Sequence, residues 1–544
     1  MVTRAPQVAA VAALAALAGC DSPARVKPWR HAQDPTALDN HAPPTPALAD
    51  DPAEAELRAA RGHTLRIHVD AEPGRLSPIV APTRWARRIL FGTVFEPLLR
   101  EDGGHYAPRL AKSWKVAPGG LEIDLELQPD VVFHDGSRMT SSDVQFTLDA
   151  VRDPRKGVEH LRPMLADVDA IELAGPLAVR IRLKRPNGWV LRALAEIPIL
   201  PMHIYDGSLY AGGALVGTGP WKLVSNKGGT VHLAKHDRYW GPPAAIADVE
   251  FVYQPDAAIA LTAAKRGELD IVPALIPAHW PDQANAPGIT VAFAPLVLDP
   301  PALRYLAFDT TRAPLDDPRV RQAIALLVDR RAIAKHVFAG LARPALWPVW
   351  PGGPVDGAEA AVPEFDPAAA GKLLDAAGWI DHDKDGIRDR DGKQLRLVLI
   401  GAEHPVDPGF HAKTERDYLV DAAKRAGIVI DVKTGSEAWL EKRLGEGGYD
   451  LVEMAWTGMT DIDISPLVAG KSPRIDRALD ALAAAWEPAD RARAAPELAA
   501  ALAEAWPLAG IVADAPQGLV ARRLGHVEVR DGWIDLTKLT LAEP

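Results

Sequence analysis

A single cysteine, Cys20, in 544 residues leaves no partner for an intramolecular disulfide, so core packing must hold the folded body together. Basic excess is missing too. The chain has 61 Lys and Arg against 72 Asp and Glu, and its net charge of −11 argues against nucleic acid and anionic lipid as partners. No apolar run reaches the roughly 20 residues that a membrane-spanning helix needs. Neither G-x-S-x-G nor H-E-x-x-H occurs and the lone thiol sits in no nucleophile pattern, which argues against a secreted hydrolase. No repeat of fixed period is present. Aromatic residues form only 6% of the chain, yet 15 of them are Trp against 10 Phe and 8 Tyr. Indoles fill cores, and they also make the flat apolar walls of concave sites.

What is present starts at the amino terminus. Arg4 precedes a short Ala/Val/Leu stretch from Val8 to Ala18, and Leu17-Ala18-Gly19 leads directly into Cys20. A basic start, a short apolar run and small residues before a cut describe a secretory signal over residues 1–19. The small-small-Cys end resembles the bacterial lipobox, which implies lipidation of Cys20 and a membrane tie through that lipid anchor. Asp21 resembles the signal that keeps lipoproteins in the inner membrane of Gram-negative bacteria. In a Gram-positive cell the same protein would stand on the outer face of the only membrane. Residues 20–61 are rich in Pro, with Pro23, Pro28, Pro35, Pro43, Pro44, Pro46 and Pro52, and read as an extended tether.

From Thr64 onward strands and helices mix, giving an α/β or α+β class. Leu65–Val69 alternates as a half-buried strand does. Trp85–Leu99 reads as a helix. Leu121–Leu127 is the cleanest strand, with four apolar side chains on one face and three acids on the other. Ser142–Val151 reads as a helix capped by Ser141 or Ser142, and Ala178–Leu183 as a strand. Trp221–Val224 and Thr230–Ala234 flank a hairpin turn at Asn226-Lys227-Gly228-Gly229. Val249–Tyr253 is an expected strand, Ala257–Arg266 a helix stopped by Gly267, and Pro318–Phe338 one long amphipathic helix. Asp366–Ala377 is another helix, closed by Gly378. Leu395–Ile400 and Ile428–Val432 bracket a helix over His411–Ala426 as a strand-helix-strand unit.

Six blocks occur in a recognisable order. Pro108-Arg109-Leu110-Ala111-Lys112-Ser113-Trp114 comes first, then Phe133-His134-Asp135-Gly136-Ser137 with Thr140 and Asp143-Val144. Val216-Gly217-Thr218-Gly219-Pro220-Trp221 and Arg266-Gly267-Glu268-Leu269-Asp270-Ile271 follow. Asp316-Asp317-Pro318-Arg319-Val320-Arg321-Gln322-Ala323 and Phe365-Asp366-Pro367 with Leu373–Trp379 complete the series. Together they resemble the bacterial extracellular solute-binding proteins of family five, the peptide-transport type. The resemblance implies a non-enzymatic receptor without cofactor, periplasmic-binding-protein-like, with two main lobes, a cleft between them and a smaller inserted lobe. The expected division is 62–104, 202–299 and 512–544 for the first lobe, 105–201 for the inserted lobe and 300–511 for the third. The family further implies a monomer that delivers its ligand to an ABC permease and ATPase complex.

Peptide-binding members carry a "W..D" segment whose aromatic and carboxylate groups hold the ligand's ammonium. Tyr449-Asp450-Leu451 and Trp456 match its lead-in, but Met459 stands at the acid's position, and Asp461 and Asp463 follow. Glu72-Pro73-Gly74-Arg75-Leu76-Ser77-Pro78 is similar to the family's "EP..LDP", with Ser77 in place of Asp. Leu346-Trp347-Pro348-Val349-Trp350-Pro351 presents two indoles from a Pro-stiffened loop. The resemblance therefore makes Trp456, Met459, Asp461, Asp463, Trp347, Trp350, Trp439 and Ser77 the candidate ligand-binding residues. A small peptide or peptide-like solute is the expected ligand. An oligosaccharide, a metal chelate or a degenerate sensor is the alternative. Asp381 to Asp389 has the acids and Gly of a calcium loop, but Gly392 holds the position of its bidentate Glu, so a solvated hairpin without metal is expected.

Overall fold

The computed structural model describes residues 24–25 and 64–541, apart from 81–82, 102–105, 159, 210–214, 277–278, 280–281, 299–301, 348–361, 403–413, 457–463, 487, 515 and 531. Three mixed or antiparallel sheets organise the chain. The largest has seven strands in the order Phe293–Val297, Gln517–Ala521, Ile271–Val272, Thr64–Val69, Asp248–Tyr253, Thr230–Lys235 and Trp221–Lys227. A six-stranded sheet runs Ala342–Pro344, Leu508–Asp514, Ala302–Phe308, Leu451–Trp456, Arg396–Ala402 and Val429–Gly435. A smaller antiparallel sheet runs Ala111–Val116, Glu122–Leu127, Ala178–Leu183 and Val168–Gly175. Helices pack against these sheets, and the fold is the two-lobed α/β arrangement with an inserted smaller lobe.

Periodicity explains the cleanest elements. In Glu122–Leu127 the side chains of Ile123, Leu125 and Leu127 are buried, and the acids between them face outward. Two of the strand's acids meet arginines of the next strand: Arg180 Nε stands 2.7 Å from Asp124, and Arg182 Nε 3.5 Å from Glu122. Leu121 lies outside the strand and is 45% exposed, so the apolar face has three residues rather than four. The expected hairpin closes on Gly228 and Gly229 with φ of +60° and +77°, the left-handed pair that a tight two-residue turn requires.

Two expected helices are shorter than their periodicity implies. The helix after Thr83 covers only Arg84–Leu90, because Phe91 is extended and Gly92 adopts φ of +74°. The long amphipathic stretch divides into Pro318–Leu326 and Arg330–His336. Asp329 causes the break, since its side chain accepts the Ala332 N–H at 3.0 Å and starts a new helix. The helix expected to begin at Ser142 starts at Ser141, with Thr140 and Asp143 forming its capping box. Glu415–Arg425, capped by Thr414, links the parallel strands Arg396–Ala402 and Val429–Gly435, so the strand-helix-strand unit is present.

Packing divides the interior unevenly. The seven-stranded and four-stranded sheets share one continuous core, in which Leu65, Phe251, Ile123 and Ile181 all take part. Two separate cores cover the faces of the six-stranded sheet. Leu306, Phe308, Leu397 and Leu399 point to one, and Tyr305, Val452, Met454, Trp456 and Ile400 to the other.

A buried carboxylate joins the inserted sheet to the large one. Glu96 is 0% exposed and accepts hydrogen bonds from Thr218 Oγ1 (2.8 Å), Tyr239 Oη (2.8 Å) and Trp240 Nε1 (2.9 Å), with Arg109 Nη2 at 2.7 Å. Gly217 and Gly219 allow this junction to close. A Cβ on Gly217 would lie 1.9 Å from the Val94 carbonyl oxygen, and one on Gly219 2.2 Å from that of Thr93.

Candidate functional site

Strand directions locate the cleft. The chain leaves the large sheet after Val297, enters the six-stranded sheet at Ala302, leaves it after Asp514 and re-enters the large sheet at Gln517. Val297 pairs with Gln517, and Ala302 with Asp514, so both crossings join the same two sheet edges. On the large sheet, antiparallel pairing of Gln517–Ala521 with Ile271–Val272 and parallel pairing of that strand with Thr64–Val69 put the carboxyl end of Thr64–Val69 at this edge. On the six-stranded sheet, Leu303 pairs with Trp456, and Arg396–Ala402 and Val429–Gly435 run parallel to Leu451–Trp456. Trp456, Ala402 and Gly435 therefore all end at the edge that faces the large sheet. Ligands of open α/β sheets bind outside strand ends of this kind.

On the large-sheet side, Asp70 follows the strand and receives Arg84 Nη2 at 2.7 Å and the Trp85 indole N–H. Burial alone would raise the Asp70 carboxyl, but Arg84 and the indole outweigh it and hold its pKa below the ordinary value. Ser77 is 4% exposed, and its Oγ accepts the Val80 N–H at 3.1 Å, so it serves the local turn. His68 Nε2 bonds the Gln254 carbonyl oxygen at 2.8 Å and ties two neighbouring strand ends together.

On the six-stranded side, Trp456 is 3% exposed and lies in the core that contains Trp347, Tyr305 and Met454. Trp347 is equally buried, with its ring centroid 5.6 Å from that of Trp506. Trp439 is half-buried against the same cluster, folded over Gly435, where a Cβ would come within 2.6 Å of its ring. Three of the candidate indoles thus share one apolar cluster at one face of the sheet. Met459, Asp461, Asp463 and Trp350 lie outside the described residues, as does Cys20.

The edge also carries charged groups that sequence reading missed. Arg304, two residues inside the strand that starts at the crossing, has Nη1 3.1 Å from Glu415 and Nη2 3.6 Å from Asp514, with its guanidinium 5.0 Å above the Phe338 ring. Arg416 Nε donates to Glu453 at 2.6 Å and its Nη2 to the Ala402 carbonyl oxygen at 3.1 Å. Burial raises the Asp514 carboxyl against the pull of Arg304. Three acids and two arginines, oriented by one another, form a largely buried ion-pair network behind these strand ends. The one sequence signal was Glu453, a lone charge inside the otherwise apolar strand Leu451–Trp456.

Asp381, Asp383 and Asp385 bring ligand atoms within 4.8 Å of one another, the one such acidic group among the described residues. Their oxygens accept the N–H groups of Gly386 (3.1 Å), Asp385 (3.3 Å) and Ile387 (2.8 Å) in their own loop. The loop precedes the strand Arg396–Ala402 and so lies at the sheet edge opposite the cleft. No helix among the described residues is long and apolar enough to cross a membrane.

Comparison with known proteins agrees with this geometry. The glutathione-binding protein GsiB of Escherichia coli O1:K1 / APEC is 29% identical over 387 residues, covering 67% of this chain and 69% of that one. The oligopeptide-binding protein AppA of Bacillus subtilis, solved with a nonapeptide, superposes with a TM-score of 0.73 at 20% identity over 88% of this chain and 99% of its own. NikZ of Campylobacter jejuni, solved with Ni(L-His), gives 0.72 at 22% identity over 88% and 99%. These two likenesses concern the fold. Residues 105–472 match the family described as bacterial extracellular solute-binding proteins, family 5 Middle. With two sheets facing each other across paired chain crossings and more than half its length matched, the chain belongs to the bacterial extracellular solute-binding proteins of family 5.

Proposed function

We propose that this protein is the receptor of an ABC importer that captures a small peptide or peptide-like solute between its first and third lobes and passes it to a permease, without catalysing a reaction. The observation that carries the reading is the pair of crossings at 297–302 and 514–517, which set two strand-end edges face to face. The proposed division is 62–104, 202–299 and 512–544 for the first lobe, 105–201 for the inserted one and 300–511 for the third. The strand that closes the third lobe continues to Asp514. Relatives described as glutathione-binding and dipeptide-binding support the peptide class of ligand. Asp461 or Asp463 takes the ligand's ammonium in place of Met459, because an ammonium in a dry cleft needs a carboxylate. Trp439 and Trp350 supply the aromatic contacts of the site, Trp456 and Trp347 back them from the core, and Ser77 fixes the turn at the opposite rim. Lipidation of Cys20 holds the monomer on the outer face of the inner membrane through the tether 20–61.

One experiment tests both the anchor and the ligand. The full chain and its Cys20→Ser variant are expressed in a Gram-negative host, fractionated, purified natively and denatured, and the released small molecules are identified by mass spectrometry. The wild type is expected in the membrane fraction, the variant in the soluble periplasm, and short peptides with free amino termini in both eluates. A sugar or metal chelate in the eluate would overturn the peptide reading. Soluble wild-type protein would overturn the anchor.

A further inference from the structure

The inserted lobe and the third lobe exchange tryptophans. Trp189 directly precedes the inserted lobe's helix Val190–Glu196, yet it is 7% exposed and lies in the third lobe's core with Leu479, Leu482 and Ala483. Trp486, between the third lobe's helices Pro473–Ala483 and Pro488–Ala505, packs against the core that the first and inserted lobes share. Its indole occupies the space that Gly120 leaves open, where a Cβ would lie 2.5 Å from Nε1. Between the two indoles the Gly188 N–H donates to the Ala483 carbonyl oxygen at 2.7 Å. Arg491, 8% exposed, has its guanidinium 5.6 Å from the Trp189 ring centroid and donates to the Ala485 carbonyl oxygen at 2.9 Å. Arg185 and Asp480 meet at 2.7 Å on the rim, with side chains 54% and 64% exposed.

We propose that this exchange is a clasp that holds the interlobe cleft closed and sets the cost of opening it. The proposal rests on the three-lobe reading above. The first and inserted lobes share one core and so move as one body. The third lobe is joined to that body by two crossings, which define a hinge. The clasp is a third contact, made through the inserted lobe and separate from the two crossings in the chain. A rotation about the hinge cannot preserve it. Opening must withdraw the buried Trp189 and the half-buried Trp486 from the opposite core, and tryptophans dominate interface energetics.

Small-angle scattering of the ligand-free Cys20→Ser full chain tests the clasp and needs no knowledge of the ligand. Trp189→Ala and Trp486→Ala are each expected to raise the radius of gyration and maximum dimension. The double variant should expand no further than either single one, because one rupture opens the cleft. Arg185→Ala should leave the curve unchanged, since its ion pair is exposed. Circular dichroism verifies that the variants fold, and Trp486→Ala, in the link between two helices, carries the test if Trp189→Ala does not. Unchanged dimensions in a folded indole variant, or expansions that add in the double variant, would overturn the clasp while leaving the cleft's role as a binding site untouched.

Discussion

His134 is held between two backbone groups that select its neutral form. The Gly217 N–H donates to Nδ1 at 3.3 Å, which leaves Nε2–H to donate to the Gly219 carbonyl oxygen at 3.0 Å. His236 stands 4.8 Å away, edge to face, and Lys222 adds a further positive charge nearby. Burial first, then these charges, push the His134 pKa down to about 4 from 6.5. The folded value lies below the unfolded one, so the contribution to stability is intact above pH 6.5 and is lost as the pH falls toward about 4. The loss is on the order of 2–3 kcal/mol. Urea denaturation at about pH 7 and about pH 4.5 is therefore expected to show a smaller acid penalty in His134→Gln than in the wild type, by roughly 2 kcal/mol. Equal penalties would place the acid sensitivity elsewhere. The neighbouring Asp135, directly before Gly136, makes a local turn contact, its Oδ1 accepting the Ser137 N–H at 2.9 Å. The role of Glu96 was not legible, because its donors come from as far as Trp240, 144 residues along the chain.

Elements were readable where local pattern and tertiary demand coincide. Ala178–Leu183 and the helix after Asp366 agree with their patterns because strand alternation and the cap-to-glycine frame are local signals. The seam at residues 327–329 was hidden. Apolar periodicity runs through it, and only Asp329 distinguishes a cap from another exposed acid. Arg330 then stabilises the seam from inside. It is 2% exposed, donating Nε to the Gly510 carbonyl oxygen and Nη1 to that of Ala325, both at 2.9 Å, and burial lowers its pKa to about 10. Asp329→Ala is expected to lower stability by about 1 kcal/mol through the lost cap. Chemical denaturation measures this, and a neutral result would mean that Arg330 alone maintains the break. The candidate site divides in the same way. Its indoles were legible as residue types, whereas Arg304, Glu415 and Asp514 lie far apart in the chain and meet only through the order of strands.

At the scale of the whole molecule, the division of cores predicts how the protein comes apart. The first and inserted lobes share one apolar cluster, while the six-stranded sheet has its own core on each face. Cooperative unfolding follows continuous packing, so the ligand-free chain should melt as two units rather than one or three. Site variants label them. Glu96→Ala removes the buried acceptor of four donors at the shared core, and Asp329→Ala a helix cap in the third lobe. In differential scanning calorimetry each variant is expected to lower its own transition and leave the other in place. Saturating ligand, which touches both units, should draw the two transitions together and raise them, by about 2.7 kcal/mol of binding stabilisation at a hundredfold excess over Kd. If both variants lower a single transition equally without ligand, the tryptophan exchange and the crossings already couple the two bodies as strongly as a common core does. In that case ligand capture would have to proceed by local opening at the cleft edge instead of rotation of whole lobes.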